Sequence, residues 1–185
     1  MPDAIILDRD GVLIKDKGFM HKVEELEFYP RVIEALQKVS KETKIIIITN
    51  QAGIARGIFT EQDYKKLRDH IHKIFRRNNI VITAEYFCPH HPKGTISEYT
   101  KECSCRKPAS GLFEQAVKEH NLNPKNCWCI GDMRRDIIAG QRVGMKGIIV
   151  KTGFGGEGGE GDPIKPEYVA EDLYDAIKFI KKQRD

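Results

Sequence analysis

The stretch AIILDRDG, residues 4–11, decides the fold, because a wholly apolar run ends at once in two aspartates and a glycine. An unbroken apolar run of this kind predicts a strand that is buried on both faces of a parallel sheet. Strand-like character recurs in five later segments, residues 44–49, 81–87, 127–130, 146–150 and 168–170. The chain is therefore expected to contain several buried strands that follow one another at regular intervals.

The segments between these strands carry helical periodicity and helix start signals. Pro30 can occupy the first position of a helix, Thr60 and Asp63 form a capping-box pattern, and Ser110 is a candidate cap for the next helix. Alternating strands and helices predict an α/β fold, namely a doubly wound, Rossmann-like parallel sheet with helices on both faces and right-handed crossovers. We expect one domain over residues 1–185, without a separate cap domain.

Composition is that of an ordinary globular protein. Of the 185 residues, 40% are hydrophobic and 31% are charged, and the net charge is +4. The longest apolar run, residues 45–48, is far below the roughly 20 residues that a membrane-spanning helix needs. A modest basic excess suits an anionic substrate but is not the basic stripe of a nucleic-acid binder. We expect a cytoplasmic monomer with no membrane or nucleic-acid partner, since no leader pattern precedes the first strand.

Acidic and polar residues stand at the predicted ends of the strands, where ligands of such sheets bind. Asp8 and Asp10 follow the first strand, two residues apart, and Thr49 and Asn50 end the second. Crowded carboxylates need a cation or a proton, and Mg²⁺ prefers such oxygen ligands. Asp8 could then attack phosphorus, and Asp10 could act as the general acid and base. The spacing alone equally allows two aspartates that cap a turn.

Further elements of the same kind favour phosphate chemistry. Asp132 follows the strand at residues 127–130, and Asp136 lies four residues later, which gives a second acidic cluster for the metal. Arg106 and Lys107 supply two cations directly before a predicted helix. Hydroxyl, amide and cationic groups are the usual partners of phosphate oxygens. Each element alone is weak evidence for a phosphate site, but the common position of all of them at strand ends makes the combined evidence strong.

The four elements together resemble the motifs of the haloacid dehalogenase superfamily of phosphatases. The resemblance rests on Asp8-x-Asp10-Gly11, Thr49-Asn50, Lys107 and Gly131-Asp132-x3-Asp136, and it extends over residues 5–150. Within that superfamily, residues 49–57 and 88–92 resemble the D-glycero-D-manno-heptose 1,7-bisphosphate 7-phosphatase group. The histidinol-phosphate phosphatases are close relatives of that group.

This resemblance implies roles for individual residues. Asp8 would be the nucleophile and Asp10 the acid and base, and Thr49 and Lys107 would stabilise the transferring phosphoryl group. Mg²⁺ would be held by Asp8, the backbone carbonyl of Asp10 and Asp132, with Asp136 in support. The implied substrate-binding residues are Asp16, Lys17, Gly18, Phe19, Thr49, Asn50, Gln51, Ala52, Arg106 and Lys107.

One position departs from the pattern of the heptose group. Members of that group often carry lysine directly after the last-motif aspartate, whereas Met133 stands here. We expect Arg134 to supply the missing cation to the substrate. The glycine-rich residues 153–158 fit a nucleotide-binding spacing, but prolines follow them instead of a helix, so a flexible loop is the better interpretation.

Four of the cysteine and histidine residues have the spacing of a zinc site. The pattern Cys88-x-His90-x12-Cys103-x-Cys105 offers three thiolates and one imidazole, a full tetrahedral set for structural Zn²⁺. His91 is an alternative ligand, although the family pattern favours His90. The competing interpretation is a set of reduced cysteines beside a chance histidine. An odd total of five cysteines argues against a disulfide framework.

The sequence therefore predicts a Mg²⁺-dependent phosphatase that acts on a small phosphorylated sugar through an aspartyl-phosphate intermediate. The long segment between the two ligand pairs, residues 92–102, is typical of the heptose group, because histidinol-phosphate phosphatases that resemble this chain have a shorter one. A histidinol-phosphate phosphatase, a polynucleotide phosphatase and a non-catalytic zinc-stabilised binding module are the alternatives.

Overall fold

A computed structural model describes residues 2–39, 41–157 and 165–183. Within these residues six strands form one parallel sheet, and their order across the sheet is β3-β2-β1-β4-β5-β6. The strands are β1 Ala4–Leu7, β2 Lys44–Asn50, β3 Ala84–Cys88, β4 Cys127–Gly131, β5 Lys146–Val150 and β6 Tyr168–Ala170.

The helices lie between the strands along the chain. They are α1 Val32–Gln37, α2 Ala52–Ala55, α3 Glu61–Arg77, α4 Gly111–Glu119, α5 Arg134–Arg142 and α6 Leu173–Lys182. Short 3₁₀ turns occur at Val23–Glu25, Ser97–Tyr99 and Pro124–Asn126. No helix in the described ranges has both the length and the hydropathy that crossing a bilayer requires.

Two apolar cores cover the two faces of the sheet, because alternate residues of each strand point to opposite sides. On one face, Ile5 and Leu7 of β1 pack in a cluster with side chains of α1, α3 and α6. On the other face, Ala4 and Ile6 pack with side chains of α4 and α5. This arrangement confirms the predicted doubly wound sheet with helices on both faces.

The strand order explains where the functional residues meet. Leu7, the last residue of β1, lies beside Ile47 of β2 and beside Ile130 of β4. The chain segments that follow these three neighbouring strands therefore leave the sheet at one edge. Asp8, Thr49 and Asp132 reach that edge together.

The boundaries of two predicted elements are wrong. The third strand starts at Ala84 and not at residue 81, because Val81 lies outside the sheet and is 74% exposed. The first helix starts at Val32 and not at Pro30, because Arg31 has a left-handed backbone with a φ of 63°. A φ of that sign cannot continue a right-handed helix.

The helix starts differ in how their first backbone groups are satisfied. Thr60 and Asp63 form the predicted reciprocal capping box at the start of α3. Ser110 occupies the cap position of α4, but its hydroxyl donates to Glu114 Oε1 at 2.6 Å and makes no capping bond. The prediction of a serine cap is therefore wrong. The four-residue helix α2 was not predicted, because its apolar residues continue directly from the motif at the end of β2.

Phe75→Ala should lower the free energy of unfolding by about 3–5 kcal/mol, because removing the buried ring leaves a cavity in the core beneath α3. Val81→Ala is the control, since this exposed residue follows α3, and we expect a change below about 0.5 kcal/mol. Urea unfolding followed by circular dichroism measures both values. Similar losses for the two variants would contradict the assignment of the core.

Candidate active site

A group of three buried carboxylates occupies the carboxyl edge of the sheet. Asp8 follows β1, Asp132 follows β4, and Asp136 lies in the first turn of α5. One oxygen from each can be chosen so that all three lie within 4.8 Å of one another. Lys107 joins this group from the loop before α4: its Nζ lies 3.0 Å from Asp8 Oδ1 and 2.7 Å from Asp136 Oδ1. The same ammonium donates to the carbonyl of Ile48 in β2 at 2.7 Å.

The charges of this group do not balance. Burial raises the pKa of Asp8 to about 6, and the nearby Asp136 and Asp10 add to this rise while Lys107 opposes it. Burial, with Asp8 next in importance, raises the pKa of Asp132 to about 7. Although burial disfavours its charge, the pKa of Lys107 is raised by Asp136 and Asp8. Three buried carboxylates facing one ammonium fit a divalent cation that binds oxygen ligands.

Two glycines make room for Asp132. A Cβ atom placed on Gly11, whose φ is 84°, or on Gly153, whose φ is 62°, would lie 2.1 Å from Asp132 Oδ2. The N–H of Phe154 donates to the same oxygen at 3.0 Å. The first part of the glycine-rich segment thus forms a wall of the site, a role that the sequence did not reveal. Gly158 and the following Pro163 lie outside the described residues.

Asp10 also lines the opening and is held by side chains from β2 and from the residue after it. Gln51 Nε2 donates to Asp10 Oδ2 at 2.8 Å and also to Thr49 Oγ1 at 2.8 Å. Thr49 is buried at the floor, while the Asp10 side chain keeps 18% exposure. Asp10 can therefore meet a bound molecule that also reaches Asp8.

These groups open into a cavity of about 360 Å³. The predicted residues that line it are Asp8, Asp10, Asp16, Gly18, Phe19, Thr49, Asn50, Gln51, Ala52, Arg106 and Asp132. The cavity is also lined by residues that were not predicted from the sequence as part of the site: Met20, Gly53, Arg56, His91, Arg135 and Phe154. Met133, which departs from the family pattern, lines the cavity as well.

Three predicted substrate-binding residues are not among the lining residues of this cavity: Lys17, Lys107, which is buried beside Asp8, and Arg134. Lys17 turns away to Glu27, with Nζ 3.1 Å from Oε2. Arg134 is exposed on the outer side of α5, whereas Arg135 lines the cavity. Arg134 and Arg135 point in different directions because consecutive helical residues are about 100° apart around the helix axis. The sequence shows two adjacent arginines in this turn but does not show which of them faces the cavity.

The rim of the cavity is cationic. Arg56, Arg106 and Arg135 all line it, and among the described residues none of the three forms an ion pair with a carboxylate. Burial lowers the pKa of Arg106, and the neighbouring Arg135 and Arg56 lower it further. Arg135 Nε is a buried donor that has no hydrogen-bond partner among the residues that the structure describes. Unpaired cations at a cavity mouth fit an anionic ligand.

The four predicted zinc ligands come together beside this rim. The sulfurs of Cys88, Cys103 and Cys105 lie 3.0–3.5 Å apart, and His90 Nδ1 lies 3.3 Å from Cys105 Sγ. All four can place a ligand atom within 4.8 Å of one another. The alternative ligand His91 is not in this group but lines the cavity. Three thiols and one imidazole at these separations fit a tetrahedral Zn²⁺ ion.

The two cations that follow the cluster are anchored by different contacts. Arg106 Nη1 donates to the carbonyl of His90 at 3.3 Å. The backbone N–H of Lys107 donates to Asn50 Oδ1 at 3.1 Å, and Asn50 Nδ2 donates back to the Lys107 carbonyl at 3.1 Å. Asn50 therefore fastens the loop of Lys107 to the end of β2. The Asn50 side-chain amide therefore bonds the Lys107 backbone, although Asn50 also lines the cavity.

Comparison with known proteins places these features in a family. A model of HAD-hydrolase-like proteins matches residues 104–176. The D-glycero-alpha-D-manno-heptose-1,7-bisphosphate 7-phosphatase of Photorhabdus laumondii is 37% identical over 177 residues, covering 95% of this chain and 94% of that protein. The D-glycero-beta-D-manno-heptose-1,7-bisphosphate 7-phosphatase of Haemophilus ducreyi is 35% identical over 180 residues, covering 96% of this chain and 97% of that protein.

A solved structure shows the same relationship. The D,D-heptose 1,7-bisphosphate phosphatase from B. bronchiseptica, crystallised with magnesium and phosphate, superposes with a TM-score of 0.86 at 28% identity. The match covers 98% of this chain and 99% of that chain. The family resemblance of the motifs is thus confirmed over almost the whole length. The chain belongs to the family of the D-glycero-D-manno-heptose 1,7-bisphosphate 7-phosphatases, within the HAD-like hydrolases.

Proposed function

We propose that this chain is a Mg²⁺-dependent phosphatase that removes the 7-phosphate of D-glycero-D-manno-heptose 1,7-bisphosphate, a step toward nucleotide-activated heptose. The observation that carries the proposal is the position of Asp8, which Lys107 holds at the floor of a cavity with an arginine rim. The relatives named for this activity match the chain along nearly its full length.

Asp8 is the proposed nucleophile. Its Oδ1 accepts the Arg9 N–H at 2.8 Å and pairs with Lys107 at 3.0 Å, so Oδ2 is the oxygen left to attack phosphorus. As the new bond to Asp8 forms, the bond from phosphorus to the sugar oxygen breaks, and Asp10 gives that oxygen a proton. A water molecule then attacks the aspartyl phosphate, and Asp10 takes its proton. The products are the heptose 1-phosphate and inorganic phosphate.

The remaining groups would bind the transferring phosphoryl group. Thr49 and Lys107 offer a hydroxyl and an ammonium to its oxygens. Asp8, Asp132 and the backbone carbonyl of Asp10 would hold Mg²⁺, which when bound would neutralise charge on the phosphoryl oxygens. Asp136 stands in support, because its oxygens already serve Lys107 and the N–H of Met133.

We propose that the arginine rim receives the second phosphate of the substrate. Arg56, Arg106 and Arg135 all line the cavity. The Arg56 guanidinium lies 5.8 Å from the centre of the Phe19 ring. Phe19 itself has a left-handed φ of 54° and remains 41% exposed, which suits a side chain that lies against a sugar. A monophosphate such as histidinol phosphate would leave these cations unpaired.

We further propose that the cysteine and histidine cluster holds structural Zn²⁺. Four protein ligands would complete the tetrahedral shell, so no water could be activated there. The metal would then stabilise the loop that carries Arg106 and Lys107 into the site. We also propose that the chain forms a single functional domain and acts as a monomer. We propose the cytoplasm as its location, because the five free cysteines would stay reduced in that compartment.

Asp8→Asn should reduce phosphate release by at least about 10³-fold without loss of the fold, because a carboxamide cannot replace the attacking oxygen. Asp69→Asn is the control, since this carboxylate lies on the surface of α3 and pairs with Arg68. Colorimetric phosphate release and circular dichroism are the measurements. If Asp8→Asn keeps more than a few per cent of the wild-type rate, another residue is the nucleophile.

The wild-type kcat/KM for heptose 1,7-bisphosphate should exceed that for histidinol phosphate by at least about 100-fold, because charged contacts to a second phosphate contribute about 1.5–3 kcal/mol each. Both anomers of the bisphosphate are to be assayed, with histidinol phosphate and a 3′-phosphorylated oligonucleotide. A preference for histidinol phosphate would transfer the function to the histidinol-phosphate phosphatases. Release of phosphate from none of them would favour a binding module.

Arg135→Gln and Arg134→Gln test the rim with the same change of charge at neighbouring positions. Arg135→Gln should lower kcat/KM for the bisphosphate by about 10–100-fold, mainly through KM, because one charged contact to the ligand is lost. Arg134→Gln should change it by less than about twofold, since Arg134 points to solvent. Equal effects of the two variants would remove Arg135 from the proposed phosphate site.

Cys103→Ser should lower the bound zinc and the melting temperature together, because affinity of the folded state for a metal adds to its stability. The activity loss should appear mainly as a higher KM. Cys127→Ala is the control, since this buried cysteine is outside the cluster and its loss should leave the zinc content near one equivalent. Elemental analysis and thermal unfolding with a chelator give the values. A zinc-free wild type of unchanged stability would refute the site.

A further inference from the structure

The residue between the two motif aspartates, Arg9, has a side chain that is entirely buried. It turns under the active site, away from the cavity, and reaches the carboxylate of its neighbour Asp10. Arg9 Nη2 lies 3.0 Å from both Asp10 oxygens, and Nε lies 3.2 Å from Oδ1. Charged hydrogen bonds of this fork shape restrict the carboxylate in direction as well as in place.

The same guanidinium also contacts a wall of the cavity. Arg9 Nη2 donates to the backbone carbonyl of Met20 at 3.1 Å. Met20 ends the segment in which Asp16, Gly18 and Phe19 line the cavity. One buried side chain therefore connects the proposed acid with the segment that the substrate would contact.

A layer of side chains behind Arg9 keeps it in this position. Its Cζ lies 5.4 Å from the centre of the Tyr64 ring in α3. The Tyr64 hydroxyl donates to Glu85 Oε1 at 2.6 Å, and His72 Nε2 lies 2.6 Å from Glu85 Oε2. Asp10, Tyr64 and Glu85 raise the pKa of Arg9 although burial opposes its charge, so the guanidinium stays protonated.

Arg9 Nη1 is buried and has no hydrogen-bond partner among residues 2–39, 41–157 and 165–183. Leaving such a donor unsatisfied is unfavourable for folding, so stability does not explain why an arginine is buried here. The contacts of Arg9 with Asp10 offer a functional explanation. With Gln51 holding Oδ2 at 2.8 Å from the other side, Asp10 is fixed by donors on two sides and faces the cavity.

We infer that Arg9 is a positioning residue that aims Asp10 at the leaving oxygen of the substrate. The inference rests on the proposed function, in which Asp10 protonates that oxygen while the phosphorus–oxygen bond breaks. An acid must lie within hydrogen-bond reach of the proton acceptor, and a displacement of about 1 Å can cost about 10²-fold in rate. Arg9 is not among the residues that line the cavity, so it would act on the substrate only through Asp10.

The dependence of the rate on the leaving group separates this role from a general structural one. A sugar alkoxide leaves slowly unless it is protonated, whereas p-nitrophenolate leaves without a proton. A misplaced Asp10 should therefore slow the first step on a sugar phosphate and have little effect on p-nitrophenyl phosphate. The first step is followed by rapid quench in a single turnover, which excludes the later hydrolysis of the aspartyl phosphate.

The variants are Arg9→Met, which removes the guanidinium, and Arg9→Lys, which keeps the charge but not the fork. We expect Arg9→Met to lose about 10–100-fold in the first step on the sugar bisphosphate and less than about threefold on p-nitrophenyl phosphate. Arg9→Lys should show a smaller loss with the same dependence. Arg68→Met is the matched control, because this arginine of α3 pairs with Asp69 at the surface and should leave both rates unchanged.

Equal losses on the two substrates, or wild-type rates for Arg9→Lys and Arg9→Met on both, would overturn the inference. Failure of both variants to fold would also overturn it in favour of a purely structural role. Asp10→Asn serves as the reference, since it should show the same leaving-group dependence at larger amplitude. If Asp10→Asn lacks that dependence, the acid in the proposed function is wrong, and this failure is distinct from failure at Arg9.

Discussion

The ion pairs of one buried lysine hold the candidate active site together. Lys107 binds Asp8 after β1, Asp136 in α5 and the Ile48 carbonyl of β2, so a single ammonium connects three parts of the sheet edge. Removing a charged group from water is costly, and a buried pair persists only when its partners are close and well oriented. The position of the loop that carries Lys107 therefore constrains the whole site.

Two devices place that loop. The cysteine and histidine cluster ends at Cys105, directly before Arg106 and Lys107, and Asn50 bonds both the N–H and the carbonyl of Lys107. The cluster would hold the loop through a bound metal, and Asn50 holds it to the end of β2. A loop without regular structure is thereby held between two anchors, which gives the precision that phosphoryl transfer requires.

Charge is arranged in layers from the floor of the cavity to its mouth. Carboxylates dominate the floor, where burial raises the pKa of Asp8 and Asp132, and arginines occupy the rim. A floor with excess negative charge would repel a phosphate unless a cation lies between them. The rim has the opposite excess and would attract a second anion. In the proposed function, these two layers would favour a sugar with two phosphates over one with a single phosphate.

The sequence by itself determined the sheet, the edge at which the site lies and most of the residues gathered there. These features follow from local patterns, since apolar runs specify buried strands and motif residues directly follow them. Only the tertiary structure decided which side chains face the cavity. It turned Lys17 toward Glu27, chose Arg135 over Arg134 and directed Arg9 beneath the site to Asp10. It also folded the glycine-rich segment against Asp132. Such choices depend on helix phase and on contacts between residues distant in the chain, which no local pattern records.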